Sequence, residues 1–262
     1  MGQIMFTFIT RQPSVSLIAG MGLAFAVPLH AQEAGTPPME IKVQARKNPG
    51  HLPYAAMYES YERLLTYLPP EPRLFDPVNR ISFTQLPLAE QDAYEPTDWA
   101  VSIVGATVDQ VVPVRRGGYF EIPHLPAAFQ DKATLMFREQ SQRNYLEVAW
   151  VIRIGTERRL SYADFGKAME QLRSMQKRIP VLRSLSYRVE KYGNFDGLKA
   201  CFLAPGGTLR IDGRSAADRI SGTCSVLKFD PARVGTGQVI EFDGPLDVVT
   251  LIRTEPYLRE TT

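Results

Sequence analysis

The chain has 262 residues, enough for one large domain or two small ones. Its 44% hydrophobic and 22% charged residues are ordinary for a globular protein with a buried core. A net charge of +2 without a concentrated basic stripe argues against a nucleic-acid-binding surface or another polyanionic partner.

Within residues 1–31, Arg11 is the only charged side chain. It precedes the apolar run VSLIAGMGLAFAV (Val15 to Val27), which Pro28 closes, and Leu29-His30-Ala31 offers a cleavage site. The run is shorter than the roughly 20 residues that cross a bilayer. No cysteine sits at the cleavage point for lipid attachment, and Phe6 breaks the myristoylation pattern. These features predict a signal peptide and an exported protein, periplasmic in a Gram-negative source, with secretion as the alternative. No transmembrane span is expected after processing; a retained N-terminal anchor is the competing reading.

Residues 32–75 read as a tail followed by an amphipathic helix. Tyr54, Tyr58, Tyr61, Leu65 and Leu68 recur at helical spacing, and Pro69-Pro70 stops them. From 76 to 160 the pattern changes to short strands: RISFTQLPL, DWAVSIVG, TVDQVVPV, YFEIP, ATLMFRE and YLEVAWVIRIG. In the last run Leu146, Val148, Trp150, Ile152 and Ile154 share one face. Several strands at this spacing predict a sandwich.

Residues 161–262 begin with a well-marked helix. Ser161 can cap it with Asp164 three residues on, and Tyr162, Phe165, Met169, Leu172, Met175 and Ile179 form its apolar stripe. Lys177 and Arg178 suit its negative end, and Pro180 ends it. The strand-like runs SLSYRVEKYG, FDGLKACFLA, GTLRID, GTCSVLKFD, QVIEFD and LDVVTLIR follow. Asp243-Gly244-Pro245 between the last two reads as a hairpin turn. The predicted class is β-rich α+β: an immunoglobulin/transthyretin-like β-sandwich plus a smaller α+β part with antiparallel strands.

Cys201 and Cys224 are the only cysteines. In an oxidising compartment they predict one disulfide, stabilising by roughly 3 kcal/mol through loop closure. Two buried free thiols are the alternative. Catalytic signatures are missing. There is no G-x-S-x-G elbow and no H-E-x-x-H, and the acidic cluster Glu90-Gln91-Asp92 lacks a converging histidine. His51 and His124 read as loop or edge residues, and Ser174-x-x-Lys177 lacks the companion motifs of its chemistry. No metal or cofactor is expected.

PVRRGGYFEIPHLP (113–126) reads as a hairpin. Gly117-Gly118 supplies free positive φ angles, with Val112 and Val114 before the turn and Phe120 and Ile122 after it. Arg115 and Arg116 would stand at its solvent end, available for contact with a partner. The stretch VVPVRRGGYFEIPHLP followed by DKATLMFRE resembles a transthyretin-like or carboxypeptidase-regulatory-like sandwich. The layout of leader, aromatic helix and β-module resembles uncharacterised exported proteobacterial proteins. The resemblance covers about residues 76–155, departs in the double arginine, and implies a fold rather than an activity. The leading expectation is a non-enzymatic binding or structural protein of the cell envelope, its partner an envelope protein or small ligand. The alternatives are an envelope hydrolase using carboxylates or Ser174 and Lys177, and a carrier holding a small apolar ligand on the tyrosine face of 54–68.

Overall fold

The clearest predicted strand, β7 (Asn144–Ile152), lies inside a seven-stranded antiparallel sheet of the computed structural model. The structure describes residues 50–83, 86–96, 99–138, 144–179 and 195–259. The expected leader and tail, and the run SLSYRVEKYG, lie outside the described residues.

Next to β7 lies β2 (Phe75–Phe83), which pairs with it along its whole length. Phe75 opposes Ile152 and Ile81 opposes Leu146, so odd residues of β2 share a face with Leu146, Val148, Trp150 and Ile152. Beyond β2 is the two-residue edge strand β5 (Tyr119–Phe120). β5 reaches only Asn79 and Arg80, which leaves Pro77 free of a ladder partner on that side, where proline is tolerated.

On the other side of β7 come β15 (Leu246–Ile252), β9 (Gly197–Phe202), β13 (Cys224–Lys228) and the three-residue edge strand β12 (Arg219–Ser221). This one sheet takes β2, β5 and β7 from the segment before residue 160 and β9, β12, β13 and β15 from the segment after it. The boundary expected at 160 therefore does not divide the fold. Strands with both faces buried pair by register across the chain, and short runs carry no signal of partner.

One face of the sheet is covered by two different layers. Phe75, Trp150, Ile152, Leu198, Ala200 and Leu251 share a core with helix αA (Tyr162–Arg178) through Phe165, Met169, Leu172 and Met175. Each buried side chain of this size stabilises by roughly 1.5–3 kcal/mol. Ser161 Oγ accepts from the Asp164 amide at 3.0 Å, the cap expected from sequence. The same core contains Leu209, Ile211, Ile240 and Phe242 of a four-stranded sheet ordered β11 (Arg214–Ser215), β10 (Thr208–Ile211), β14 (Val239–Asp243), β8 (Arg159–Ser161).

At the other end, Ile81, Phe83 and Phe120 share a second core with Val101, Ile103, Leu135 and Phe137. These belong to a four-stranded sheet ordered β1 (Gly50–Pro53), β6 (Thr134–Phe137), β3 (Val101–Val104), β4 (Asp109–Val112). The tyrosine helix αB (Tyr54–Leu65) closes this core. Tyr54 is fully buried edge-on to Phe129, and its hydroxyl donates to the Pro123 carbonyl at 2.8 Å and accepts from the Leu125 amide at 2.9 Å. Tyr61 donates to the Pro77 carbonyl at 2.8 Å. The tyrosine face is thus packed at both positions.

The architecture is β-rich, with antiparallel sheets and few helices. The hairpin expected at Asp243-Gly244-Pro245 is instead a corner between sheets. Across Gly117-Gly118, Val114 pairs antiparallel with Phe120 and the Arg115 amide donates to the Tyr119 carbonyl at 2.7 Å, a tight hairpin whose flanking strands then part into different sheets. β14 and β15 flank Asp243-Gly244-Pro245 but pair in different sheets, as do β4 and β5 on either side of Gly117-Gly118. Among the described residues, no helix is long and apolar enough to cross a membrane.

Candidate functional site: a buried charge cluster beside the disulfide

Gly117 and Gly118 both have positive φ, 72° and 83°, and are buried. A Cβ on Gly118 would lie 2.6 Å from the Ile81 carbonyl oxygen, so only glycine fits this close approach. The turn places the Gly117 amide 2.8 Å from the Tyr94 carbonyl and the Gly117 carbonyl 2.9 Å from Arg80 Nε, which donates to it. The glycine pair is a lid segment over Arg80.

Arg80 lies on the second face of the large sheet, opposite Glu147 and Tyr119 in the two neighbouring strands. Its Nη1 donates to Glu147 at 3.1 Å, its Nη2 to Asp92 Oδ1 at 2.8 Å, and its guanidinium lies 5.2 Å from the Tyr119 ring centre. Asp92 ends the short helix αC (Leu88–Asp92), which begins at the last residue of the strand-like run RISFTQLPL and extends beyond it. Gln91 fastens that helix to β2, accepting from the Phe83 amide and donating to the Leu86 carbonyl.

Lys199, on β9, completes the pairing. Its Nζ donates to Asp92 Oδ1 and, at 2.9 Å, to the Tyr257 hydroxyl. Tyr257 in turn donates to Asp92 Oδ2 at 3.1 Å. It sits on the C-terminal helix αD (Glu255–Arg259), whose preceding Thr254 is held by Asp196. Lys199 and Asp92 have side chains only 1% and 2% exposed, whereas Glu147 at the rim of the cluster reaches solvent.

Burial works against both cations, but the surrounding groups outweigh it. Tyr119, Glu147 and Asp92 hold Arg80 above its ordinary range, and Asp92, Tyr119 and Tyr257 hold Lys199 above its own. The Tyr257 phenol is pushed up to about 12, chiefly by burial and against the pull of Lys199. In this ion-paired form Lys199 and Tyr257 are protonated at neutral pH, and both donate to Asp92.

Cys201 and Cys224 are bonded to each other, directly opposed on β9 and β13. Cys201 follows Lys199 by two residues on the same sheet face, so the disulfide adjoins the charge cluster. The Asp92 carboxylate and the two sulfurs lie within 4.8 Å of one another. They do not fit a metal: both sulfurs are spent on the disulfide, and two cations occupy the carboxylate.

The two expected contact arginines part company. Arg115 is exposed, whereas Arg116 folds inward, donating to the Phe202 carbonyl at 3.0 Å and pairing with Glu95 at 3.1 Å. Arg116 thereby reaches the residue after Cys201 and braces the disulfide strand. Nearby Asp247 has its carboxyl raised by burial, against the pull of Arg115 and Arg116. Ser174 and Lys177 lie on the exposed side of αA, and His51 and His124 are exposed. None of these four joins the cluster.

Compared with protein-family models, curated proteins and solved structures, the chain matches none. Arg80, Lys199 and Tyr257 are not among the residues singled out from sequence, and Asp92 entered only in an acidic cluster set aside as a metal site for want of a histidine. A signal was present for two of them: a lone charge inside the apolar runs VNRISF and LKACF marks a buried partner-seeking group.

Proposed function

We propose that the chain is an exported, non-enzymatic binding or structural protein of the cell envelope, periplasmic in a Gram-negative source. The observation that carries this reading is the buried Cys201–Cys224 disulfide, which suits an oxidising compartment. The leader-like residues 1–31 support it from the sequence. A buried charge cluster, with its cations held protonated, supports a structural use of the ionisable core. For the fold we propose an immunoglobulin- or transthyretin-like sandwich. Its support is the core shared by the sheet containing β3 and β6 with the β2 end of the large sheet. Of the two arginines expected to meet a partner, Arg115 has its side chain at the surface for that role.

Osmotic-shock fractionation followed by N-terminal sequencing tests the reading. The expected result is a shocked-out protein beginning at Gln32 with no alkylatable thiol before reduction. A cytosolic protein with an intact N-terminus and two free thiols overturns it.

A further inference from the structure

We propose that Lys199 and Asp92 condense into an intramolecular isopeptide bond, joining strand β9 to helix αC by an amide in the protein interior. This stands on the cluster's geometry and is independent of where the protein resides.

The requirements for condensation are an amine against a carboxyl group, exclusion of water, a route for protons and a donor for the developing oxyanion. The site supplies each one. Lys199 Nζ is in contact with Asp92 Oδ1, one bond from Cγ, and both side chains are almost fully buried. In water an ammonium and a carboxylate are protected by their hydration. Burial strips that hydration, so eliminating the charge pair with release of water removes a desolvation cost.

Tyr257 is placed as the proton relay. Its hydroxyl accepts from Lys199 Nζ at 2.9 Å and donates to Asp92 Oδ2 at 3.1 Å. A proton passes from Nζ to the phenol oxygen as the phenolic proton passes to Oδ2, leaving a neutral amine and a neutral acid. The Nζ lone pair then forms the N–Cγ bond, and the Cγ–Oδ1 π electrons move onto Oδ1. Arg80 Nη2, 2.8 Å from Oδ1, steadies that charge. A second Nζ proton follows the same route to Oδ2, the Cγ–Oδ2 bond breaks, and water leaves. One proton stays on the amide nitrogen, so atoms and charge balance without an oxidant or co-reactant. Arg80 and Glu147 remain as a matched pair.

Intact-mass spectrometry of the reduced, denatured protein tests the proposal. The expected mass is one water below that of the same chain without the bond. Trypsin should release a branched peptide joining residues 81–115 to 192–210, uncut at Lys199, with fragmentation mapping the link to Asp92. Lys199→Arg keeps the cation and should restore the full mass. Tyr257→Phe keeps the ring and should leave a large unlinked fraction in protein whose disulfide still forms. A wild-type chain at full mass overturns the proposal, as does water loss confined to an unbranched peptide. Complete linkage in Tyr257→Phe overturns the relay.

Discussion

The second face of β2 carries two ionic networks, one at each end of the same strand. At the buried end, Arg80 meets Asp92, Glu147 and, through Asp92, Lys199. At the exposed end, Asp76 accepts both Nε and Nη2 of Arg153, at 2.6 and 2.8 Å, together with Arg73, and Glu71 pairs with both arginines. The residue types and spacings are alike, and the exposed contacts are the better forked. Solvent decides their worth. Surface pairs contribute about 0–1 kcal/mol, because water and salt screen them. Removing one partner of a buried pair strands an unpaid charge and costs about 3–5 kcal/mol.

The largest effect follows directly. Relative to the uncondensed, ion-paired chain, Asp92→Ala leaves Arg80 and Lys199 facing each other without their shared anion, and should lower the unfolding free energy by about 3–5 kcal/mol. Urea unfolding of the oxidised protein measures it. A loss no larger than that of a surface pair would erase the contrast between the two ends. Replacing both cysteines by alanine removes the neighbouring cross-link, whose sequence separation is 23 residues, and should cost about 3 kcal/mol. Its loss acts mainly on the unfolded chain, so the variant should keep the cluster's alkaline behaviour.

That behaviour is the third expectation. In the ion-paired form, burial pushes the Tyr257 phenol up to about 12 from its ordinary 10.0. A raised pKa means the contribution is fully present below the ordinary value and is lost as pH rises through the folded value. Between those limits roughly 2–3 kcal/mol should disappear. Phenolate absorbance, read as the difference between wild type and Tyr257→Phe, locates the transition. A transition at the ordinary tyrosine value would mean that water reaches the cluster.

Much of the local structure was legible in the sequence, and little of the pairing. Ser161 with Asp164 announced αA, and alternation in YLEVAWVIRIG announced β7, because caps and periods are properties of neighbouring residues. The disulfide was legible by elimination, there being only two cysteines. Gly117-Gly118 and Asp243-Gly244-Pro245 were correctly turns, but turn chemistry does not say whether the flanking strands pair with each other. Here β14 and β15 do not, and across Gly117-Gly118 the pairing ends at Val114 and Phe120 before the strands part. The charge cluster gathers residues 80 and 199 from two strands of the large sheet, 92 and 257 from two short helices and 117 from a turn, a convergence no local pattern announces. A rule that reads Arg115 and Arg116 as a solvated pair misses the inward turn of Arg116, since the receiving carbonyl belongs to Phe202.

The smallest effect tests the exposed end. Arg153→Ala should cost under about 1 kcal/mol near neutral pH, well below Asp92→Ala. Its signature is in the acid limb. Arg153 is the main cause that holds Asp76 below its ordinary 3.8, against the opposing effect of burial and with help from Arg73. Glu71 is lowered first by the Arg73 amide, which the substitution leaves in place. A depressed folded pKa gives stability that is present above the ordinary value and lost as pH falls through the folded one. Wild type should therefore lose its advantage over Arg153→Ala as pH drops below 3.8, and the two unfolding curves should converge once Asp76 is protonated in both. Curves that stay parallel through this range would show that Arg153 acts by packing its stem rather than by pairing with Asp76, and the exposed network would then contribute no charge energy to set against the buried one.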